Sequence, residues 1–386
     1  YFEENGRLAF ASELKAFFAD GNFQPQVNAR AVDLFLTFLY IPSPYSIYKN
    51  IRKLEPGHLL IHKNGATTAK KYWDIPLRVE KKSNAQLKAE FLDIFADVVS
   101  KHLISDVPLG VFLSGGVDSS AVAAMAARAG GKLRTFSIGY DNKEDSSYNE
   151  LADARLAADY FGAEHTEILV NPDVAALLPK LVWHFDEPFA DSSALVTYLI
   201  SQHARRSVTV ALTGIGGDED FLGYPRYLGM KAYALYNKLP GFAKHTAAGV
   251  AGMLPESGES RDLANWAKRF SSGGKLPEFD CYLNWISFVG RREKSGLYSA
   301  DFRSRLEGFN AQALHRAYFD GFSGADSLNR LSFLDMKTYL PDDLLMMADK
   351  MSMANSLELR VPFCDVKMAE FAASLPSGEK TGGFTL

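Results

Sequence analysis

Cysteine is almost absent: the 386 residues hold two, Cys281 and Cys364. So few thiols in so long a chain exclude a disulfide scaffold and a multi-cysteine zinc cluster, and a reducing, cytoplasmic setting is expected. Apolar residues never run for the roughly 20 positions that a bilayer-crossing helix needs, and the N-terminus lacks the basic, apolar, small-residue order of a signal peptide. A basic excess is missing too. Lys and Arg number 42 against 46 Asp and Glu, a formal net charge of −4, so the charge points to neither a nucleic-acid nor a membrane partner. Any phosphate chemistry belongs to a local site. Internal repeats and low-complexity tracts are lacking as well. The chain begins at Tyr1 rather than Met, and a fragment cut at both ends is expected.

What is there is the profile of a globular chain of two to three domains, with 47% hydrophobic and 23% charged residues. Residues 1–73 read as short strands and turns around one helical stretch, Val32 to Tyr40, and Gly57 to His62 alternates before an Asn64-Gly65 turn, a hairpin signal. Glu80, Lys81 and Lys82 mark an exposed linker over 74–84. From Leu87 the pattern alternates: helix to Leu103, strand Leu109 to Leu113, helix Ala121 to Ala129, strand Leu133 to Ile138, helix Tyr148 to Phe161, strand Glu164 to Leu169, helices Pro172 to Phe185 and Ser193 to Arg205, and strand Val208 to Thr213. Strands alternating with helices of this length predict an α/β fold with a doubly wound parallel sheet, because parallel neighbours need a crossover, and a ligand site at the strands' carboxyl ends. Beyond Gly223 strand signals fade, and Lys231 to Leu340 reads as helical, aromatic-rich material covering the sheet.

Three segments carry candidate chemistry. In Leu113-Ser-Gly-Gly-Val-Asp-Ser-Ser120 an apolar strand ends, Gly115 and Gly116 allow a tight turn, and a helix starts near Asp118. Free amides and hydroxyls there suit a phosphate. The loop is neither a Walker A motif, which needs a lysine before the helix serine, nor a dinucleotide fingerprint, whose third glycine is replaced by Ser119. The bland alternative is a glycine turn with an N-cap serine. A second segment, Thr213-Gly-Ile-Gly-Gly-Asp-Glu219 followed by Gly223-Tyr-Pro-Arg-Tyr227, ends the last clear strand. There Asp218, with Asp118, is placed to reach a magnesium ion held between phosphates, against the alternative of an acidic surface turn. The third is Leu340-Pro-Asp-Asp-Leu-Leu through Lys350 to Phe363. It reads as an ordinary helix with Asp343, Asp349 and Lys350 on a solvated face, or as the carrier of a fixed cation, Lys350, answering charge that builds on a departing pyrophosphate. The eight histidines show no metal-ligand spacing and read mostly as surface or capping residues.

In their order these segments, with Asp186-Glu-Pro-Phe-Ala-Asp-Ser-Ser193, resemble the class II glutamine-dependent asparagine synthetase family over nearly the whole chain. The resemblance implies a sheet of the ATP-pyrophosphatase type (PP-loop, adenine nucleotide alpha hydrolase-like) in residues 85–386. It implies for residues 1–73 the tail of an N-terminal nucleophile (Ntn) glutaminase domain. It further implies that Leu113, Ser114, Gly115, Gly116, Asp118, Ser119 and Ser120 bind ATP phosphates, that Ile138 meets the adenine and that Thr213 and Gly214 border the nucleotide. Asp118 and Asp218 match magnesium-associated aspartates, and Lys350 the lysine held against phosphates and acyl-adenylate. The family makes β-aspartyl-AMP and pyrophosphate from aspartate and ATP, and ammonia, from glutamine in the intact protein, then gives asparagine and AMP. This chain departs from the pattern at Ile215, where asparagine-forming members commonly carry an acidic residue, and isoleucine cannot transfer a proton. The acceptor therefore stays open between aspartate and another carboxylate such as a sugar acid. A nucleotide-binding regulatory module without turnover is the non-enzyme alternative. A homodimer is compatible with this reading.

Overall fold

The computed structural model describes residues 1–386 except 5, 20, 22, 77–78, 81, 141–149, 241–269, 271–275 and 382–386. Strand β1 (Phe2–Glu4) pairs antiparallel with β2 (Arg7–Ala9), and β3 (His58–Lys63) with β4 (Ala66–Lys71). The second hairpin turns at Asn64 and Gly65, both at positive φ (53° and 76°), as a two-residue turn between twisted strands requires. Between the hairpins, α1 (Ala29–Phe38) starts where the Asn28 side chain accepts the Arg30 amide at 3.1 Å. Leu34 and Phe38 of α1 enter one core cluster with Leu222, Tyr227, Met230, Tyr282 and Leu283. The opening segment thus shares its interior with the far half of the chain.

A capping box between Ser83 and Gln86 opens α2 (Asn84–His102). The alternating elements follow as β5 (Leu109–Phe112), α3 (Val117–Arg128), β6 (Arg134–Tyr140), α4 (Leu151–Phe161), β7 (Glu164–Val170), α5 (Val174–Phe185), α6 (Ser193–Ala204) and β8 (Val210–Leu212). Tyr148, where the α4 helix was expected to begin, lies outside the described residues. These strands and β9 (Glu358–Arg360) form one parallel sheet in the order β7-β6-β5-β8-β9. Helices cover both faces. Phe95, Val98, Val122 and Ala154 meet Val111 and Leu212 on one, and Tyr198, Leu199 and Met351 meet Phe136 and Ala211 on the other. The strand order reverses between β5 and β8, so the crevice for a ligand opens between their carboxyl ends.

Strand β9 corrects the expectation that strand signals end at Gly223. Its three residues carry no apolar run because it is an edge: Arg360 turns out and donates at 2.7 Å to the His102 and Ile104 carbonyls at the end of α2. The stretch before it is helical but irregular, a π-helical turn over Leu340–Leu345 leading into an α-helix over Met346–Met353. Asp343, expected on a solvated face if that helix were ordinary, is buried. Two histidines also depart from the surface reading. The His165 side chain is buried in β7, and His315 is fully buried, stacked on Phe38 at 4.1 Å with burial pushing its imidazole down to about 3. His245 lies outside the described residues.

The expected helical cover over 231–340 is seen in Pro225–Asn237, Glu278–Ile286, Arg291–Leu297, Ala300–Leu306, Ala313–Gly321 and Ser327–Lys337, with 241–269 and 271–275 outside the described residues. Between the two regions, Asp74 is paired with Lys337 at 2.9 Å, Ile75 is buried with Phe322 and Phe333, and the Trp73 indole donates to Glu370 at 3.0 Å. Of the stretch that reads as a linker, Leu77, Arg78 and Lys81 lie outside the described residues. Among the described residues no helix is long and apolar enough to cross a membrane.

Packing at the sheet centre yields a direct test. A Cβ on Gly110 of β5 would meet Phe136 Cε2 at 2.6 Å and the Arg134 carbonyl at 3.3 Å, whereas one on Gly296 meets nothing within 4 Å. In urea denaturation Gly110→Ala is expected to lose about 1–3 kcal/mol by overpacking. Gly296→Ala, within a helix, is expected to gain up to about 1 kcal/mol.

Candidate nucleotide site at the sheet switch point

Beyond β5 the chain is stitched to β6: the Leu113 amide donates to the Phe136 carbonyl at 2.9 Å, and Ser137 Oγ donates to the Leu113 carbonyl. The next residues fold on themselves. The Ser114 amide donates to Ser119 Oγ at 3.1 Å, the two serine hydroxyls stand 2.9 Å apart, the Gly116 amide donates to Ser114 Oγ at 3.3 Å, and Ser119 Oγ donates to the Gly116 carbonyl at 3.2 Å. Gly115 sits at φ 81°, and a Cβ there would stand 2.6 Å from Asp153 Cβ and 2.8 Å from the Ala154 amide, because the start of α4 packs on the turn. Glycine meets both demands. The N-cap of α3 is Gly116, which offers no side-chain acceptor, so the first-turn amides point to whatever anion enters, beside the Ser120 side chain of the same turn.

The loop after β8 closes on that helix. Thr213 donates to the Arg360 carbonyl at 3.0 Å, which ties the carboxyl end of β8 to β9. A Cβ on Gly214 would lie 2.8 Å from the Ser119 amide nitrogen and 2.9 Å from Asp118 Cβ, and one on Gly217 would lie 2.5 Å from Asp118 Oδ2. Asp118 therefore rests against the first residue of α7 (Gly217–Phe221), whose second residue is Asp218. Burial, then the charge of Asp218, pushes the Asp118 carboxyl up to about 6. Burial raises Asp218 as well, against the pull of Arg226. Two carboxylates so disfavoured as bare charges are a natural seat for a cation. Among the described residues no three metal-ligating side chains come close enough to hold a metal by themselves. A magnesium ion there fits as one that takes few carboxylates and completes its shell with phosphate oxygens.

Of the remaining expected residues, Ile138 lies in β6, half-buried, two residues beyond Phe136. Lys350 is not brought to the two aspartates. Its ammonium lies 3.7 Å from Asp186 Oδ2 and faces a cavity of about 450 Å³ lined also by Glu13, Phe185, Glu187 and Met346. The charges that shift Asp118 and Asp218 belong to Asp218 and Arg226, not Lys350.

Several residues of the neighbourhood escaped the sequence reading. Glu219 is fully buried, accepts from the Tyr224 hydroxyl at 2.5 Å through Oε1, leaves Oε2 without a partner, and is pushed by burial up to about 7. Asp343 is raised to about 8 by burial and then by Asp191. Arg226 lies 3.9 Å from the Tyr224 ring centre and 4.8 Å from that of Tyr339, and donates through Nε and Nη2 to Asp335 at 3.1 and 2.8 Å. Asp335 also accepts from the Tyr227 hydroxyl at 2.6 Å and from Tyr282. The available signal was GYPRY itself, an arginine flanked by tyrosines just past a glycine turn, a pattern suited to cation–π stacking.

The profile of the family described as Asparagine synthase matches residues 90–384, and that of the Glutamine amidotransferase domain matches residues 1–73. The chain is similar to asparagine synthetase (glutamine-hydrolyzing) 1 of Bacillus subtilis strain 168, at 32% identity over 99% of this chain and 58% of that protein. It is similar to the putative asparagine synthetase (glutamine-hydrolyzing) of Mycobacterium tuberculosis strain H37Rv, at 32% identity over 93% of this chain and 54% of that one. It is also similar to amidase chyE of Penicillium rubens, at 26% identity over 98% and 60%. The chain thus spans less than two thirds of the length of these curated relatives.

The aspartate pair makes stability and ligand binding oppose each other. Because the folded-state Asp118 carboxyl is raised above its ordinary 3.8 to about 6, the fold carries no cost from it below about 3.8, loses stability as pH rises from there, and bears the full cost above about 6. Asp118→Asn is expected to melt a few degrees above the parent at pH 8 and to lose that advantage near pH 4, in scanning calorimetry. At pH 7 calorimetric binding of magnesium with a non-cleavable ATP analogue is expected to vanish in the same variant.

Proposed function

Because this chain belongs to the asparagine synthase family, we propose that it binds ATP with magnesium at the β5–β8 switch point and adenylates a carboxylate, which ammonia then converts to an amide. The observation that carries this is the contact of Asp118 with the Gly214–Gly217 loop, which sets two half-buried carboxylates beside the open amides of a helix N-terminus. In this reading the loop from Leu113 to Ser120 receives the β- and γ-phosphates, Ile138, Thr213 and Gly214 border the nucleoside, and Asp118 and Asp218 hold magnesium. When bound, magnesium neutralises phosphate charge and draws electron density from the attacked centre. An acceptor carboxylate oxygen forms a bond to the α-phosphorus, and the bond to the bridging oxygen of the β-phosphate breaks, releasing pyrophosphate. Lys350 is the fixed cation that answers the charge on that leaving group. Ammonia adds to the acyl carbon, AMP departs with the C–O bonding electrons, and the nitrogen loses a proton.

That proton cannot go to Ile215. The acidic neighbourhood also bears on the acceptor. Asp191 and Glu219 both lie within electrostatic reach of Asp343, which favours an acceptor with an ammonium group, as aspartate has and a uronic acid lacks. We assign residues 1–73 to the end of a glutaminase domain, with glutamine as the nitrogen source of the intact protein and the cytoplasm as its setting. The synthetase region is then 85–386.

The test is exchange of labelled pyrophosphate into ATP, with magnesium and a panel of aspartate, other amino acids and uronic acids. Exchange with aspartate above the uronic acids is expected, and Lys350→Ala should lower it by at least about 100-fold, the scale of a lost charge-stabilising group. ATP binding with no exchange for any acceptor would favour a nucleotide-binding module without turnover, and exchange only with uronic acids would move the acceptor to the sugar acids.

A further inference from the structure

Asp186 ends α5 in the left-handed region, at φ 67°, with its amide donating to the Val182 carbonyl at 3.3 Å. Aspartate tolerates this conformation better than most residues, and the helix end fixes where its carboxylate points. That carboxylate, only 3% exposed, meets two lysines from opposite ends of the sequence. Lys15 holds it tightly, with Nζ 2.8 Å from Oδ1 and the backbone amide donating to Oδ2 at 3.3 Å. Lys350 holds it loosely: its Nζ stands 3.7 Å from Oδ2, inside ion-pair range and beyond a hydrogen bond. Lys15 is further bound to Glu13 at 2.7 Å and lies 5.5 Å from the Trp183 ring centre, and Glu13 also feels Lys350. Four charges thus alternate as Glu13, Lys15, Asp186, Lys350.

The alternation decides how strongly Lys350 is kept. A lone, nearly buried carboxylate would draw a neighbouring ammonium into a short charge-assisted bond, because in such surroundings an unpaired charge is costly. Lys15 already satisfies Asp186 on both oxygens. Lys350 is left within the field of the carboxylate without a committed hydrogen bond. Resting on the reading of Lys350 as the phosphate-side cation, we propose that Lys15 is a positioning residue for Lys350, occupying Asp186 so that the Lys350 ammonium is released to the nucleotide's phosphates. Lys15 lies in the region matched by the Glutamine amidotransferase domain and Lys350 in that matched by Asparagine synthase. The triad is therefore a charge link across the two regions. It is not their mechanical joint, since Lys53 to Glu187 at 2.6 Å and Lys294 to Asp33 at 2.8 Å bridge the same regions without it.

The experiment is calorimetric binding of magnesium with α,β-methylene-ATP to the full chain and its variants, alongside melting temperatures. Lys15→Gln is expected to weaken binding by roughly tenfold, or about 1.4 kcal/mol, with Lys350 captured by the freed Asp186. Lys15→Arg should bind like the parent. Asp186→Asn added to Lys15→Gln should restore affinity to within about twofold, and Asp186→Asn alone should bind at least as well as the parent. Arg30→Gln, which breaks the Arg30–Glu307 bridge between the same regions at 2.9 Å, should leave affinity unchanged. If Lys350→Ala binds like the parent, the phosphate-side reading of Lys350 fails, and the proposal with it. If Lys350→Ala weakens binding but Lys15→Gln does not, or the double variant is no better than Lys15→Gln, that reading stands and the positioning role is overturned. Asp186→Asn weakening binding as much as Lys350→Ala overturns it too, even if no Lys15 variant folds.

Discussion

The closest approach in the molecule that matters for chemistry is between two loops that hang from adjacent strands and touch through glycines. Asp118, at the start of α3, fits against the loop after β8 only because positions 214 and 217 lack a Cβ. The parallel sheet forces this meeting. Its strand order reverses between β5 and β8, so the chain leaves those strands toward opposite edges of the sheet and a crevice remains at their base. Glycine narrows that crevice until Asp118 and Asp218 feel each other. A side chain at position 214 or 217 would collide with Asp118 or the start of α3 and abolish the site.

A pair of half-buried like charges needs support behind it, and the helical cover supplies it. Arg226 follows α7 directly, and its charge opposes the rise of the Asp218 carboxyl. It is held between the Tyr224 and Tyr339 rings and by Asp335. Asp335 is in turn satisfied by Tyr227 and Tyr282. Neutral hydroxyls rather than more lysines do most of this work, which spares the desolvation cost of further buried ions. Glu219, held by the Tyr224 hydroxyl through one oxygen alone, and Asp343 sit instead near the pH at which they take up a proton, about 7 and 8.

Much of this was legible in the sequence because it rests on local patterns. Alternating apolar runs and helices of crossover length specify the parallel sheet, and the two glycine-aspartate loops stand at the ends of strands that the order makes neighbours. What was not legible depends on partners far along the chain. Strand β9 has the sequence of a turn, and becomes a strand through its pairing with β8 and the outward reach of Arg360 to the end of α2. His315 has the polarity of a surface residue and the environment of a core one, because Phe38 from a segment hundreds of residues earlier closes over it. Lys350 was read from its motif as a cation near phosphate, and its motif says nothing of Asp186, which lies in another helix.

Those distant partners bear on how the chain divides. By composition the first 73 residues are a separate piece. By packing, Leu34 and Phe38 of α1 are interior residues of the same cluster as Tyr227 and Tyr282, the tyrosines that satisfy Asp335 behind Arg226. Asp342, one residue before Asp343, accepts from both the amide and the hydroxyl of Ser43 at 2.7 and 2.6 Å. The opening segment therefore contributes to the rear wall of the candidate site as well as to its rim at Lys15. Apolar burial of this kind is non-directional, but the hydrogen bonds to Asp342 are not. They fix how Asp342 meets Ser43, and through the π-helical turn that carries both aspartates they hold Asp343 in the acidic cluster. A boundary drawn at the change in composition separates two sequence families, while the interior that supports the aspartate pair is built from both sides of it.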